Sequence, residues 1–160
     1  MKMKLMIVLG GGGHTEQMLR VVKMLGNKFE YIYIITHDDK VSEKRIEISG
    51  RIHEVRKAII PYRSKLTWPF TLTLNLIKSF LIFLKEKPYA ILSAGPGTSI
   101  LISFIGKIFG TKIIFIESWS RVTNPSTSGK IVYKFADLFF VQWESLKKSY
   151  PKAIFAGRLS

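Results

Sequence analysis

The sequence predicts an open, doubly wound α/β domain, a parallel β-sheet with helices on both faces. Three observations lead to that class. Short runs rich in Val, Ile, Phe and Tyr recur along the 160 residues, separated by segments of helical periodicity. The runs are apolar throughout instead of alternating, as strands buried on both faces are. Glycines gather where a run hands over to a helix, at Gly10–Gly13 and again at Gly95–Gly97. A strand–loop–helix order repeated in this way gives parallel strands joined by right-handed crossovers.

Lys4–Leu9 is the first expected strand, and a helix follows over Thr15–Leu25, where Met18, Val21, Val22 and Leu25 recur on one face. Gly26-Asn27 stops it. Tyr31–Thr36 is the second strand, and Arg51–Ala58 a weaker third. Tyr89–Ser93 is the fourth, leading through Gly95-Pro96-Gly97 into a helix from about Thr98 to Phe109. Lys112–Ile116 and Asp137–Val141 follow, with Ala153–Ala156 as a short last strand. Between the third and fourth strands, Leu66–Leu84 is strongly apolar. As a helix from about Phe70 it places Thr71, Asn75, Lys78 and Lys85 along one stripe. Thr, Asn, Lys and Ser interrupt the run, so it falls short of a membrane span. It is either a core helix with a wet stripe or a helix whose outer surface touches a bilayer. The arrangement as a whole is Rossmann-like and fits one domain over residues 1–160.

Composition narrows the function. With 47% hydrophobic and 22% charged residues the chain is neither a disordered tail nor a low-complexity linker. The absence of Cys excludes a disulfide framework and thiolate metal sites, and His37 and His53 stand at no metal-ligand spacing, so neither a metal nor a cofactor is expected. Leu5–Leu9 is too short for the apolar core of a signal peptide. A net charge of +14 calls for an anionic partner. Between Lys44 and Lys65 the cations Lys44, Arg45, Arg51, Arg56, Lys57, Arg63 and Lys65 face only Glu47 and Glu54. That stretch abuts the apolar Leu66–Leu84 segment, a pairing suited to an anionic lipid surface, with Arg56, Lys57, Arg63, Lys65, Trp68 and Phe70 as the expected contacts. Nucleic acid is not expected, because the aromatics cluster in apolar elements and not between basic residues.

Ligands of such sheets bind beyond the carboxyl ends of the strands, where this sequence puts its glycines. Gly10–Gly13, with Gly11, Gly12, Gly13 and Thr15 as candidate ligand contacts, leads into a helix N-terminus, a natural phosphate seat. The spacing is neither that of a P-loop nor of a dinucleotide fingerprint, since Thr15 and Glu16 stand where a third Gly or Ala is required. His14 belongs at the mouth of the cleft, as a general base for a hydroxyl or as a helix-start residue bonding the backbone. Gly95, Gly97 and Thr98 form the second loop; either loop alone could be a packing turn, and together they suit a ligand with two phosphates. Glu117 and Arg121, after the fifth strand, either bind sugar hydroxyls or phosphate or pair with each other.

Read together, Gly12-Gly13-His14-Thr15, Gly95-Pro96-Gly97-Thr98, Glu117-Ser118 with Arg121-Val122, Ser128-Gly129-Lys130 with Tyr133, Ala136-Asp137, and Val141-Gln142-Trp143 before Tyr150-Pro151 stand in the order of one family. The chain resembles the membrane-anchoring subunits of the eukaryotic UDP-N-acetylglucosamine transferase that adds the second sugar of the dolichol-linked oligosaccharide, and the prokaryotic PssD-type polysaccharide-biosynthesis proteins. The resemblance implies the N-terminal, acceptor-side half of a GT-B glycosyltransferase, inverting and metal-independent, that binds a polyprenyl-diphosphate-linked sugar. A separate donor-binding subunit using a UDP-sugar completes it. His14 would then be the base, with the two glycine loops on the diphosphate and Glu117 and Arg121 shaping the acceptor site. The eukaryotic members carry an N-terminal transmembrane helix, whereas this sequence opens on the first strand. Attachment is therefore expected to be peripheral, at the cytoplasmic face, through Leu66–Leu84 and the adjacent basic stretch. A non-catalytic membrane adaptor and a stand-alone nucleotide-binding enzyme are the alternatives; the glycine spacing argues against the second.

Overall fold

The computed structural model describes residues 2–37, 39–56 and 68–159, with side chains of the third helix described from residue 72 onward. Seven strands form one parallel sheet: β1 (Lys4–Val8), β2 (Glu30–Thr36), β3 (Gly50–Val55), β4 (Ala90–Ser93), β5 (Lys112–Ile116), β6 (Leu138–Val141) and β7 (Ile154–Phe155). Their order across the sheet is β3-β2-β1-β4-β5-β6-β7. The chain builds outward from β1 in one direction, then returns to β1's other side with β4, where Val8 pairs with Ser93. Order reverses between β1 and β4, so the crevice of this sheet opens there.

The helices are α1 (Gly12–Leu25), α2 (Lys40–Lys44), α3 (Trp68–Glu86), α4 (Gly97–Ile108) and α5 (Thr127–Val132). Side chains alternate across the strands and feed two cores. Met6, Val8, Ile91, Ile113 and Phe115 meet Ile82 and Phe83 of α3, Ile102 and Ile105 of α4 and Val132 of α5. Leu5, Ile7, Leu9, Tyr31, Tyr33 and Leu92 meet Met18 and Val22 of α1. On the α1 side the sheet is not fully covered. An apolar trough of about 830 Å³ runs beside α1 past Leu92, Ile114 and Phe140.

Three local differences from expectation have physical reasons. α1 starts at Gly12, before the expected Thr15, because the Thr15 hydroxyl accepts a hydrogen bond from the Gly11 N–H (3.0 Å) and fastens a turn that glycine alone would not hold. α2 was not expected; it is five residues long and capped by Asp39, whose carboxylate accepts from the Ser42 N–H at 3.0 Å. The polar stripe of α3 is not one environment, since Asn75 is buried while Lys78 and Lys85 are exposed. β3 is an edge strand, and its charged, exposed face accounts for its weak pattern. Of the expected membrane contacts, Arg56 is exposed just beyond β3. Lys57, Arg63 and Lys65, and the side chains of Trp68 and Phe70, lie outside the described residues, as does Ala58. Among the described residues no helix is long and apolar enough to cross a membrane.

Candidate active site

Because β1 and β4 are neighbours, the loops that follow them lie side by side at the carboxyl edge of the sheet. They interlock. A Cβ at Gly10 would stand 2.4 Å from Pro96 Cβ, so only glycine lets the two turns close on each other. Gly11 and Gly95 hold positive φ, 77° and 111°, which glycine alone adopts at little cost. His14, in the first turn of α1, points at the second loop, with its Nε2 3.6 Å from where a Gly95 Cβ would be. Close to the same point the Ser128 hydroxyl, 3.3 Å from that Cβ position, donates to the Gly95 carbonyl at 2.6 Å. Burial lowers the His14 pKa below 6.5; the Glu117 carboxylate opposes that shift, and the Arg121 cation adds to it. At neutral pH the imidazole is therefore in its proton-accepting form.

Glu117 directly follows β5 and is fully buried. Its carboxylate accepts from the Ser126 N–H and Oγ (both 3.1 Å), the Tyr150 phenol (2.9 Å) and its neighbour Ser118 N–H (3.0 Å). Burial and the adjacent carboxylate raise the Tyr150 pKa far above the usual phenol range. The floor is built tightly, because a Cβ at Gly129 would fall 2.2 Å from Glu117 Oε2. These donors engage Glu117 within the protein. Arg121 is exposed at the turn that follows, and no ion pair joins it to Glu117. The two charges thus act on His14 with opposite sign and form no direct ion pair with each other.

The remaining candidates separate into framework and lining. Thr15 is buried; besides the Gly11 N–H it bonds the Ser42 hydroxyl at 2.8 Å, which donates on to Asp39. Thr15 therefore locks the first glycine loop to α2. Thr98 is largely buried at the start of α4, and its hydroxyl has no protein partner, nor do those of Ser93 and Ser99 around the same turn. Buried polar groups are ordinarily paired, so three unpaired hydroxyls gathered under one loop are unusual. Gly12 carries no neighbour within reach of a Cβ, Gly97 opens α4, and Gly13 backs onto Trp119, whose Nε1 lies 3.5 Å from the Cβ position. The sequence gives Trp119 and Ser128 only as members of motifs and assigns no role to either, nor to Gln17. The Trp119 N–H donates to Gln17 Oε1 at 3.3 Å, its carbonyl accepts from the Trp143 indole at 2.6 Å, and the Arg20 guanidinium lies over its ring. Only contacts between distant segments give these residues a place in the site. Among the described residues no group of three His, Asp or Glu side chains could hold a metal ion.

A parallel sheet with interlocked glycine loops at its order reversal is the Rossmann-like, N-terminal half of a GT-B-type fold, and solved structures bear this out. The fold matches MurG of Acinetobacter baumannii with a TM-score of 0.69 at 16% identity, over 88% of this chain and 41% of that one. It matches UDP-GlcNAc 2-epimerase of Neisseria meningitidis with a TM-score of 0.68 at 18% identity, over 98% of this chain and 47% of that one. The chain therefore spans less than half the length of either. At the sequence level it belongs to the Alg14 family, described as oligosaccharide biosynthesis protein Alg14 like, whose model matches residues 5–159. The UDP-N-acetylglucosamine transferase subunit ALG14 of Mus musculus is 34% identical over 98% of this chain and 83% of its own. The protein of the same name in Schizosaccharomyces pombe is 33% identical over 96% and 81%.

Proposed function

We propose that this chain is the acceptor-side subunit of a membrane-associated glycosyltransferase. It binds a polyprenyl-diphosphate-linked sugar at the cytoplasmic face of a membrane and completes its active site with a separate donor-binding subunit that uses UDP-N-acetylglucosamine. One observation carries this reading. His14 stands in neutral form between two interlocked glycine loops, on a single Rossmann-like unit that is less than half of the solved enzymes sharing its fold. The loops offer backbone N–H groups and the N-terminus of α4, which suit a diphosphate. His14 takes the proton of the acceptor hydroxyl as that oxygen bonds to C1 of the donor sugar and the bond from C1 to the nucleotide diphosphate breaks. The uncovered apolar trough on the α1 side suits a second chain, as does the word subunit in the relatives' names. Arg56 and the basic stretch beyond it favour an anionic surface.

Purified complex, assayed with a short-chain polyprenyl-diphosphate sugar and UDP-N-acetylglucosamine, tests this. Transfer should require both chains, and His14→Ala should lower kcat by about two to four orders of magnitude. Transfer by the donor-binding chain alone would overturn the subunit role; an unchanged kcat in His14→Ala would remove the base.

A further inference from the structure

α3 and α4 pack side by side on one face of the sheet, and each presents a second apolar side away from it. On α3, Asn75, Ser79, Ile82, Phe83 and Glu86 are buried, whereas Leu76, Ile77, Phe80, Leu81 and Leu84 are exposed, Leu81 to 59%. At about 100° per residue the exposed five fill one arc roughly opposite the buried side. On α4, Phe104 (54%) and Ile108 (65%) stand four residues apart and point outward, and Phe109 caps the helix. The Phe109 ring meets Phe80 and Phe83 at 5.9 and 5.3 Å between centroids, which joins the two arcs into one surface. An apolar face this continuous is not an ordinary solvent surface.

Charge decides what covers it. Between Trp68 and Phe109 the only carboxylate is Glu86, and it is 1% exposed, held by His53 at 2.7 Å and Arg51 at 3.2 Å. Lys78 and Lys85 are exposed along the margin of the α3 arc, and Lys107 stands on α4 with its charge met by Asp137 at 2.9 Å. A second copy seated face to face would bring like charges together. We propose that the outer faces of α3 and α4 form one lipid-binding surface that lies in the interface of an anionic bilayer. This rests on the membrane association given above and deepens it: the exposed side of α4 joins that of α3 in one contact face. α3 is about 28 Å long, enough to lie along a leaflet. α4 starts at the Gly97 turn, so seating this face brings the glycine loops within a helix length of the headgroups, where a lipid-borne diphosphate resides.

The experiment is co-sedimentation of the full chain with phosphatidylcholine vesicles, with and without phosphatidylglycerol. Ile77→Ser/Leu81→Ser and Phe104→Ser/Ile108→Ser alter exposed positions only, and thermal melts compared with wild type verify their folding. Each pair should weaken partitioning by about tenfold or more on both vesicle types. Lys78→Gln/Lys85→Gln should weaken it on anionic vesicles alone. Wild-type binding by the two apolar pairs, or binding that depends on the lysines only, would overturn the proposal. So would a wild-type dimer that the apolar pairs dissociate while vesicle binding stays unchanged. Transfer to the short-chain acceptor is measured in parallel. Its absence in the wild-type complex would sink the glycosyltransferase reading, whereas unchanged vesicle binding in the variants would sink only this one.

Discussion

At His14, burial and Arg121 push toward the neutral imidazole while Glu117 pushes back. The activity of the complex should therefore fall on the acid side with a midpoint below 6.5. Arg121→Gln removes a cation and should move that midpoint to higher pH; Glu117→Gln removes an anion and should move it lower. Opposite displacements in the two pH–rate profiles check the assignment, and equal profiles would refute it. Stability follows the same sign. A histidine whose pKa is lowered by folding binds protons more readily in the unfolded chain. Its contribution is present above pH 6.5 and is lost as pH falls toward the folded-state pKa, which denaturant titrations over that window would read. Gly129→Ala drives a methyl into Glu117 and the Tyr150 hydroxyl, the latter 2.6 Å from the Cβ position. A loss of about 2–4 kcal/mol in denaturant midpoint experiments is expected, because backbone must move or buried hydrogen bonds must break.

Among the elements, α5 shows how much a short helix can depend on its first residue. Ser126 caps it by accepting from the Gly129 N–H at 2.8 Å and donates the same hydroxyl to Glu117. Ser126→Ala loses both, and should cost about 2 kcal/mol in a chemical melt, more than the roughly 1 kcal/mol of a cap alone. Most elements were legible because uniformly apolar strands and glycine junctions are local signals: all seven strands stand within a few residues of where periodicity put them. What stayed hidden depends on distant partners. Glu117 reads as a ligand residue in sequence and becomes the hub of the floor only because Tyr150, 33 positions later, returns to it through β6. Thr15 reads as loop lining and becomes a lock because Ser42 belongs to a helix too short to announce itself. α3 reads as either core or membrane surface; one apolar side is core and another is exposed, a division that periodicity alone does not reveal.

For the whole molecule, the strand order decides where chemistry can occur. Three strands lie on one side of the crevice and four on the other, and every loop of the candidate site leaves a carboxyl end. The sheet's α1 side is open over β4–β6, so a docked chain should shield it. Amide hydrogen exchange in β5 and β6 should slow in the complex relative to the isolated chain, and equal exchange would argue for docking elsewhere. The contact between Gly10 and Pro96 has a last consequence for protein engineers. Either turn transplanted alone into a related scaffold would meet a neighbour shaped for something else, so chimeras across this edge of the sheet must exchange both segments as a matched set.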